Sequence, residues 1–176
     1  MRTKYFHITI ALLLFISCKT EDSTEPNNDS YLLIAGITSV NEFGEERSRD
    51  PNDWILNDKF TTKEKELFDS LNFSETATAE PMPIAENSIY NPTQILFYPN
   101  PCATVGSLYY YHDKHILNVI IVDNKFKKLI ACRLKDSQLI TFNLSKLSKG
   151  IYRLYYVVQD SKYKIVHYGH GDIEKE

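Results

Sequence analysis

Seven short apolar and aromatic runs, spaced almost evenly over residues 94–170, restrict the second half of this chain more than any other feature. They fall at 94–98, 107–112, 116–122, 127–134, 138–144, 151–158 and 163–168. Turn-formers and charges separate them: Pro99-Asn100-Pro101, Asp113-Lys114, Asp123-Asn124-Lys125, Asp136-Ser137, Ser148-Lys149-Gly150 and Asp160-Ser161. Runs of this length, rich in Tyr, Val and Ile, suit a pleated, half-buried surface better than a helix. The expected architecture is mainly β, an antiparallel sandwich. Alternation assigns the faces. In 151–158, Tyr152, Leu154, Tyr156 and Val158 share one face and Arg153 takes the other; in 138–144, Ile140, Phe142 and Leu144 point in. Gly150, two residues before Tyr152, fits a tyrosine corner, where the phenol bonds back to the backbone and pins the crossover.

The front of the chain reads as an address. Arg2 and Lys4 precede an apolar run from Tyr5 to Ile16, too short to span a bilayer and typical of a secretory signal, residues 1–17. Its end, Phe15-Ile16-Ser17-Cys18, resembles the lipobox of bacterial lipoproteins, although Phe15 stands where that family usually has leucine. The resemblance implies acylation of the Cys18 sulfur, cleavage before it and a further chain on the freed amine. At about 0.8 kcal/mol per buried methylene, two or three acyl chains hold a protein on a membrane almost permanently. Lys19 followed by Glu21-Asp22 looks like the signal that sends some Gram-negative lipoproteins to the outer face of the outer membrane. The alternatives are an ordinary signal with a coincidental cysteine and a merely solvated linker.

Loss of Arg2 and Lys4 with the leader would take the net charge from −3 to −5. Residues 18–93 hold sixteen acids against six bases, whereas residues 94–176 hold twelve bases against seven acids. In an exported chain nucleic acid is excluded as a partner, so the basic half is expected to face anionic lipid headgroups, an envelope or secretion-machinery protein, or its own acidic half. Cys102 and Cys132 could form a disulfide in an oxidising compartment, or serve as small buried hydrophobes; they lack the spacing of a zinc site.

Residues 18–30 are polar and read as a flexible tether. Residues 31–73 are expected to hold one strand, at 31–38, and one short helix. Thr61 and Glu64 form a capping box for that helix, with Leu67, Phe68 and Leu71 as its apolar edge. Trp54, Ile55 and Phe60 are the expected companions of that edge, with Trp54 plugging the small core or, alternatively, offering a platform for a sugar. Residues 74–93, with Pro81, Pro83 and Pro92, read as a linker.

At Tyr98-Pro99-Asn100-Pro101 the second half resembles the type A C-terminal sorting domain of type IX secretion cargo. Val119-Ile120-Ile121-Val122-Asp123, the corner from Leu144 to Gly150-Ile151-Tyr152, and Lys164-Ile165-Val166 follow in that family's order. The resemblance implies a seven-stranded, immunoglobulin-like sandwich over 94–170 that a secretion apparatus reads as an export address. Phe126 stands where the family usually has glycine, and the passenger here is only 31–93.

His112, Asp113 and His115 in one turn, and His167, His170 and Asp172 at the end, are expected at opposite ends of the sandwich, so no metal site is assigned. Lys125, Lys127 and Lys128 after the third run and Lys146 and Lys149 after the fifth should share one end, a candidate basic docking surface. Tyr109, Tyr110 and Tyr111, with Tyr155 and Tyr156, place tyrosines on both faces of two strands, so one set needs a cover or a glycan. No catalytic motif and no cofactor signature is present in the sequence. The expectation is a non-catalytic, surface-exposed outer-membrane lipoprotein that binds or assembles. The alternatives are a small type IX cargo and a glycan-binding module.

Overall fold

The computed structural model describes residues 31–56, 59–69, 77–80, 95–110, 116–135 and 139–176. The chain is mainly β with one short helix. Strands β1 (Ser39–Val40) and β2 (Glu46–Ser48) form a small hairpin, followed by helix α1 (Thr62–Asp69) and strand β3 (Ala77–Glu80). Each of the seven runs then carries a strand: β4 (Ile95–Tyr98), β5 (Val105–Tyr110), β6 (Ile116–Val122), β7 (Lys128–Lys135), β8 (Leu139–Asn143), β9 (Gly150–Gln159) and β10 (Ile165–Lys175). The last is longer than its apolar run and takes in His167, His170 and Asp172, which were expected to follow it.

Two four-stranded antiparallel sheets, in the orders β3-β8-β5-β4 and β10-β9-β6-β7, share one core. The first sheet contributes Phe97, Leu108, Ile140 and Phe142; the second contributes Val119, Ile121, Leu154 and Tyr156, all fully buried. The alternation read from β9 holds: Tyr152, Leu154, Tyr156 and Val158 belong to this core, while Arg153 faces out to Asp172.

The linker expected over 74–93 is corrected in part. Ala77–Glu80 is strand β3, held by β8 from Ala77↔Phe142 to Glu80↔Leu139. The strand expected at 31–38 is also corrected. Leu32 donates to the Asn124 carbonyl, Leu33 accepts from Arg153, and Thr38 meets Asp53 and Asn100. The segment therefore passes across the ends of β6, β9 and β10 in turn, and a chain crossing strands cannot pair along any one of them.

Helix α1 is capped as expected. The Thr61 N–H donates to Glu64 Oε2 at 2.7 Å, and the Glu64 N–H donates to Thr61 Oγ1 at 3.3 Å. One eight-residue helix has little stability alone. Leu67 and Phe60 accordingly pack with Ile120, Val122, Ala131, Tyr155 and Val157 on the outer face of the β6-containing sheet. Trp54 does not join them. Its backbone N–H donates to His170 O at 2.8 Å, and its ring stacks on Phe97 at 6.0 Å, which places it in the main core.

Residues 53–56 and 100–102 occupy the outer edge of β10. Tyr168 donates to Leu56 O, and His170 O accepts from Trp54. Asp172 donates to Asp53 Oδ1. Glu174 donates to Asn100 Oδ1 and accepts from Cys102, and Glu176 donates to Cys102 O. Alternate backbone groups that an open edge would present to any passing strand are thus satisfied from within the chain.

Candidate functional site

The residues of the sorting-domain resemblance are structural and do not converge. Asn100 is fully buried. Its backbone pairs both ways with Val40 at 2.8 Å, its Nδ2 donates to Thr38 O and Asp172 O, and its Oδ1 accepts from Glu174. Both proline bonds beside it, Tyr98-Pro99 and Asn100-Pro101, are cis. At the corner before β9, Tyr152 Oη donates to Ser148 O at 2.8 Å, the bond a tyrosine corner makes. Gly150 there adopts φ +151°, a region that favours glycine. Lys164 sits in the β9–β10 turn at the opposite end, exposed, with its N–H on Asp160 Oδ1.

A buried charge cluster fastens the arm to β10. Arg153 donates to both oxygens of Asp172, at 2.7 and 2.8 Å. Against the pull of burial, Asp172 holds the guanidinium above its ordinary value. Asp53 accepts the N–H groups of Thr38 and Asp172 at 2.9 and 3.1 Å. Burial first, and the Asp172 charge as well, push its carboxyl up to about 6. Each Asp53 oxygen is occupied by a backbone donor, which makes a structural tie rather than an open acid.

The expected lysine end assembles. Val122 pairs with both Lys128 and Arg153, so the β6–β7 turn and the start of β9 lie together. Lys125, Lys127, Lys146 and Lys149 are exposed there, and Lys128 is half-buried. The end is less uniformly positive than the sequence implies, because β10 returns to it and brings Glu174 and Glu176, and Asp123 lies within the β6–β7 turn. The turn built around Phe126 takes φ +61° at that residue, in place of the glycine of the resembling family. Lys63 of α1 lies 4.1 Å above the Phe126 ring.

Sequence reasoning did not foresee the groove between α1 and the far half of the outer sheet face, about 450 Å³. Register places Arg133, Asn118, Val157 and Tyr168 in one row across β7, β6, β9 and β10. Phe60 and Phe68, stacked at 6.0 Å, form the helix-side wall, with Tyr168 edge-on to Phe60 at 5.0 Å. A polar chain runs along the floor: Arg133 Nε donates to Asn118 Oδ1 at 2.7 Å, and Asn118 Nδ2 donates to Gln159 Oε1 at 3.0 Å. Lys65 and Asp69 stand at the rim. Aromatic walls beside amides and a guanidinium suit a ligand with one apolar face and several polar edges. The apolar outer positions of β6, β7 and β9, Ile120, Val122, Ala131, Tyr155 and Val157, were the available signal, but the helix that closes the groove is remote in sequence.

Cys102 and Cys132 are free, buried thiols, small hydrophobes of the core rather than the possible disulfide. Cys102 pairs with Lys175 beside β10, and Cys132 lies in β7 at the other edge of that sheet. Four strand spacings of about 4.8 Å separate them, roughly 19 Å, against the 5.5–6 Å a bridge needs. Burial pushes their thiols up to about 11 and about 12. Tyr155, on the outer face, is covered by the helix segment and donates to Glu64 Oε1 at 2.8 Å, so no glycan is needed to cover it. Cys18, Tyr111, His112, Asp113 and His115 lie outside the described residues, and no group of metal-ligating side chains occurs among those described. In comparisons with known proteins, no family model, no curated protein and no solved structure matches this chain.

Proposed function

We propose that this chain is a non-catalytic, lipid-anchored protein of the cell envelope, held through Cys18 at the outer membrane, whose sheets form one rigid immunoglobulin-like unit for binding or assembly. The observation that carries the reading is the attachment of the arm: Asp53, Trp54 and Leu56 bond along β10, and Val40 pairs with Asn100. Residues 38–56 are therefore built into the module, not merely tied to it.

The immunoglobulin-like assignment draws support from strand order. The first, second and fifth runs are neighbours in one sheet (β4, β5, β8), and the third, sixth and seventh in the other (β6, β9, β10), the pairing of such sandwiches. β7 then extends the second sheet, and β3 adds a strand beside β8. The Tyr152 corner opens the sixth run, where that architecture places it.

Intact-mass and peptide analysis of the protein from its native membrane is the test. Acyl groups on Cys18 of a chain that still contains 95–175 are expected. An unmodified Cys18, or recovery of a chain lacking the C-terminal sheets, would refute the reading; the second outcome favours the cargo alternative, which rests on the family order of the Tyr98–Pro101 and Gly150–Tyr152 motifs. A glycan-binding role has one feature in its favour, the aromatic wall and amide floor of the groove, and a glycan array tests it.

A further inference from the structure

Two features of the lysine end coincide. The first is where the arm leaves the fold. Leu32 donates to Asn124 O at 2.9 Å, within the β6–β7 turn, so the chain running back to Cys18 departs beside Lys125 and Lys127. The second is composition. Among the exposed large apolar residues, Tyr31 (58%) and Leu33 (88%) lie on this departing segment, and Ile151 (41%) opens β9 beside Lys149. Val105, 46% exposed, begins β5 opposite Asn143, just before the Lys146–Lys149 turn. Lysines interspersed with exposed apolar side chains are the makeup of surfaces that rest on a bilayer, the ammonium groups among headgroup phosphates and the apolar groups at the acyl boundary. The β9–β10 turn shares this makeup, with Tyr163 (66%) and Ile165 (51%) beside Lys162 and Lys164, so the point where the arm departs decides between the two ends.

We propose that this end of the molecule seats on an anionic lipid surface, with Lys125, Lys127, Lys128, Lys146 and Lys149 among the headgroups. The inference rests on the anchoring of Cys18. Thirteen residues, Lys19 to Tyr31, separate the anchor from the fold and reach at most about 45 Å when fully extended. To present the opposite end, the tether would have to double back along β9, ten residues or roughly 33 Å, using most of that reach. The short tether also raises the effective concentration of the lysine end at the membrane, so individually weak contacts suffice. Asp123, Glu174 and Glu176 lie at the same end and oppose the attraction. Glu174 and Glu176 sit on the β10 side, which turns the β6–β9 side toward the lipid.

The test imposes the tether chemically. The chain from Cys18 onward is coupled through that thiol to a maleimide lipid in vesicles; Cys102 and Cys132, 1% and 4% exposed, are shielded from the reagent. Vesicles of phosphatidylcholine alone are compared with vesicles containing phosphatidylglycerol, and amine acylation is read residue by residue by mass spectrometry. Lys162 and Lys164, exposed in the opposite turn, serve as internal references. Labelling of the five lysines should fall at least about fivefold on the anionic vesicles, relative to the references, and recover when salt near 1 M shortens the Debye length to about 3 Å. A chain with all five changed to Gln should keep its unfolding midpoint and lose the anionic-vesicle protection of Tyr31 and Leu33 peptides in hydrogen exchange. Equal labelling on both vesicle types, or equal protection at both ends, would overturn the proposal and leave a protein partner as the use of these lysines. Because the coupling replaces the acyl chains, that failure is separate from a failure to find lipid on native Cys18.

Discussion

Trp54 and Gly171 offer the sharpest test of whether the arm belongs to the core. Trp54 is 3% exposed and stacks on Phe97 at 6.0 Å with the rings 5° from parallel. A methyl at Gly171 would come within 2.2–2.4 Å of three indole atoms, so the glycine is there because the ring is. Trp54→Ala removes a buried aromatic whose loss costs about 3–5 kcal/mol. With a urea slope of about 2 kcal/mol/M, the unfolding midpoint should drop by roughly 1.5–2.5 M. Gly171→Ala drives a methyl into a rigid ring and should cost about 1–3 kcal/mol. In the double variant the methyl enters the space the indole left, so the combined loss should fall short of the sum by at least about 1 kcal/mol. Circular dichroism and tyrosine fluorescence report the transition without the tryptophan. The reasoning is refuted if Trp54→Ala shifts the midpoint by less than about 0.5 M, or if the two losses simply add.

Asn100→Ala strands Thr38 O, Asp172 O and the Glu174 N–H, and should cost about 3 kcal/mol, with faster hydrogen exchange at Glu174. Tyr152→Phe removes one bond to Ser148 O and should cost only about 1 kcal/mol in urea unfolding. Asp53 gives a pH signature. Its carboxyl, pushed up from 3.8 to about 6, binds a proton in the folded chain that the unfolded chain has released, so its contribution to stability declines as pH rises from about 4 to about 6 and is flat above. The slope lost on Asp53→Asn, up to about 3 kcal/mol across that window, is read by urea titrations at several pH values; an unchanged slope contradicts the burial argument.

The strands were legible where the physics is local. Tyr, Val and Ile in alternation between turn-formers give β4 to β9 and the start of β10 within a few residues, and Thr61 with Glu64 gives the helix start, because pleating and capping are set by near neighbours. Ala77–Glu80 was not legible. Ala-Thr-Ala-Glu has no alternation and weak strand preference, and pairs only because β8 offers an edge. The run Tyr31–Thr38 misled for the opposite reason, being apolar enough for a strand but spent in crossing three of them. Gly169-His170-Gly171 fell beyond the last apolar run, 163–168. Two glycines within a strand mark close approach: Gly171 admits Trp54, and Gly169 lets the Tyr156 hydroxyl reach the Ile55 carbonyl. The groove escaped notice because its walls come from residues 60–69 and its floor from 118–168.

The strongest consequence of the fold concerns its divisibility. A detachable C-terminal sorting module should fold without what precedes it. Here the backbone of β10 is satisfied along one side by Leu56, Trp54 and Asp53, and Asn100 is positioned by Val40 and Thr38. A fragment beginning at residue 94 loses all of these, together with Trp54 from the core and Phe60 and Leu67 from the outer face of the sheet. What remains is a long strand whose edge is unpaired from Tyr168 to Asp172, beside an exposed apolar face, a combination that associates with other copies. Sedimentation should find the 31–176 chain monomeric and the 94–176 fragment aggregated or unfolded. A monomeric fragment with the unfolding midpoint of the longer chain would mean that the arm is only an attachment, and would favour the export-signal reading.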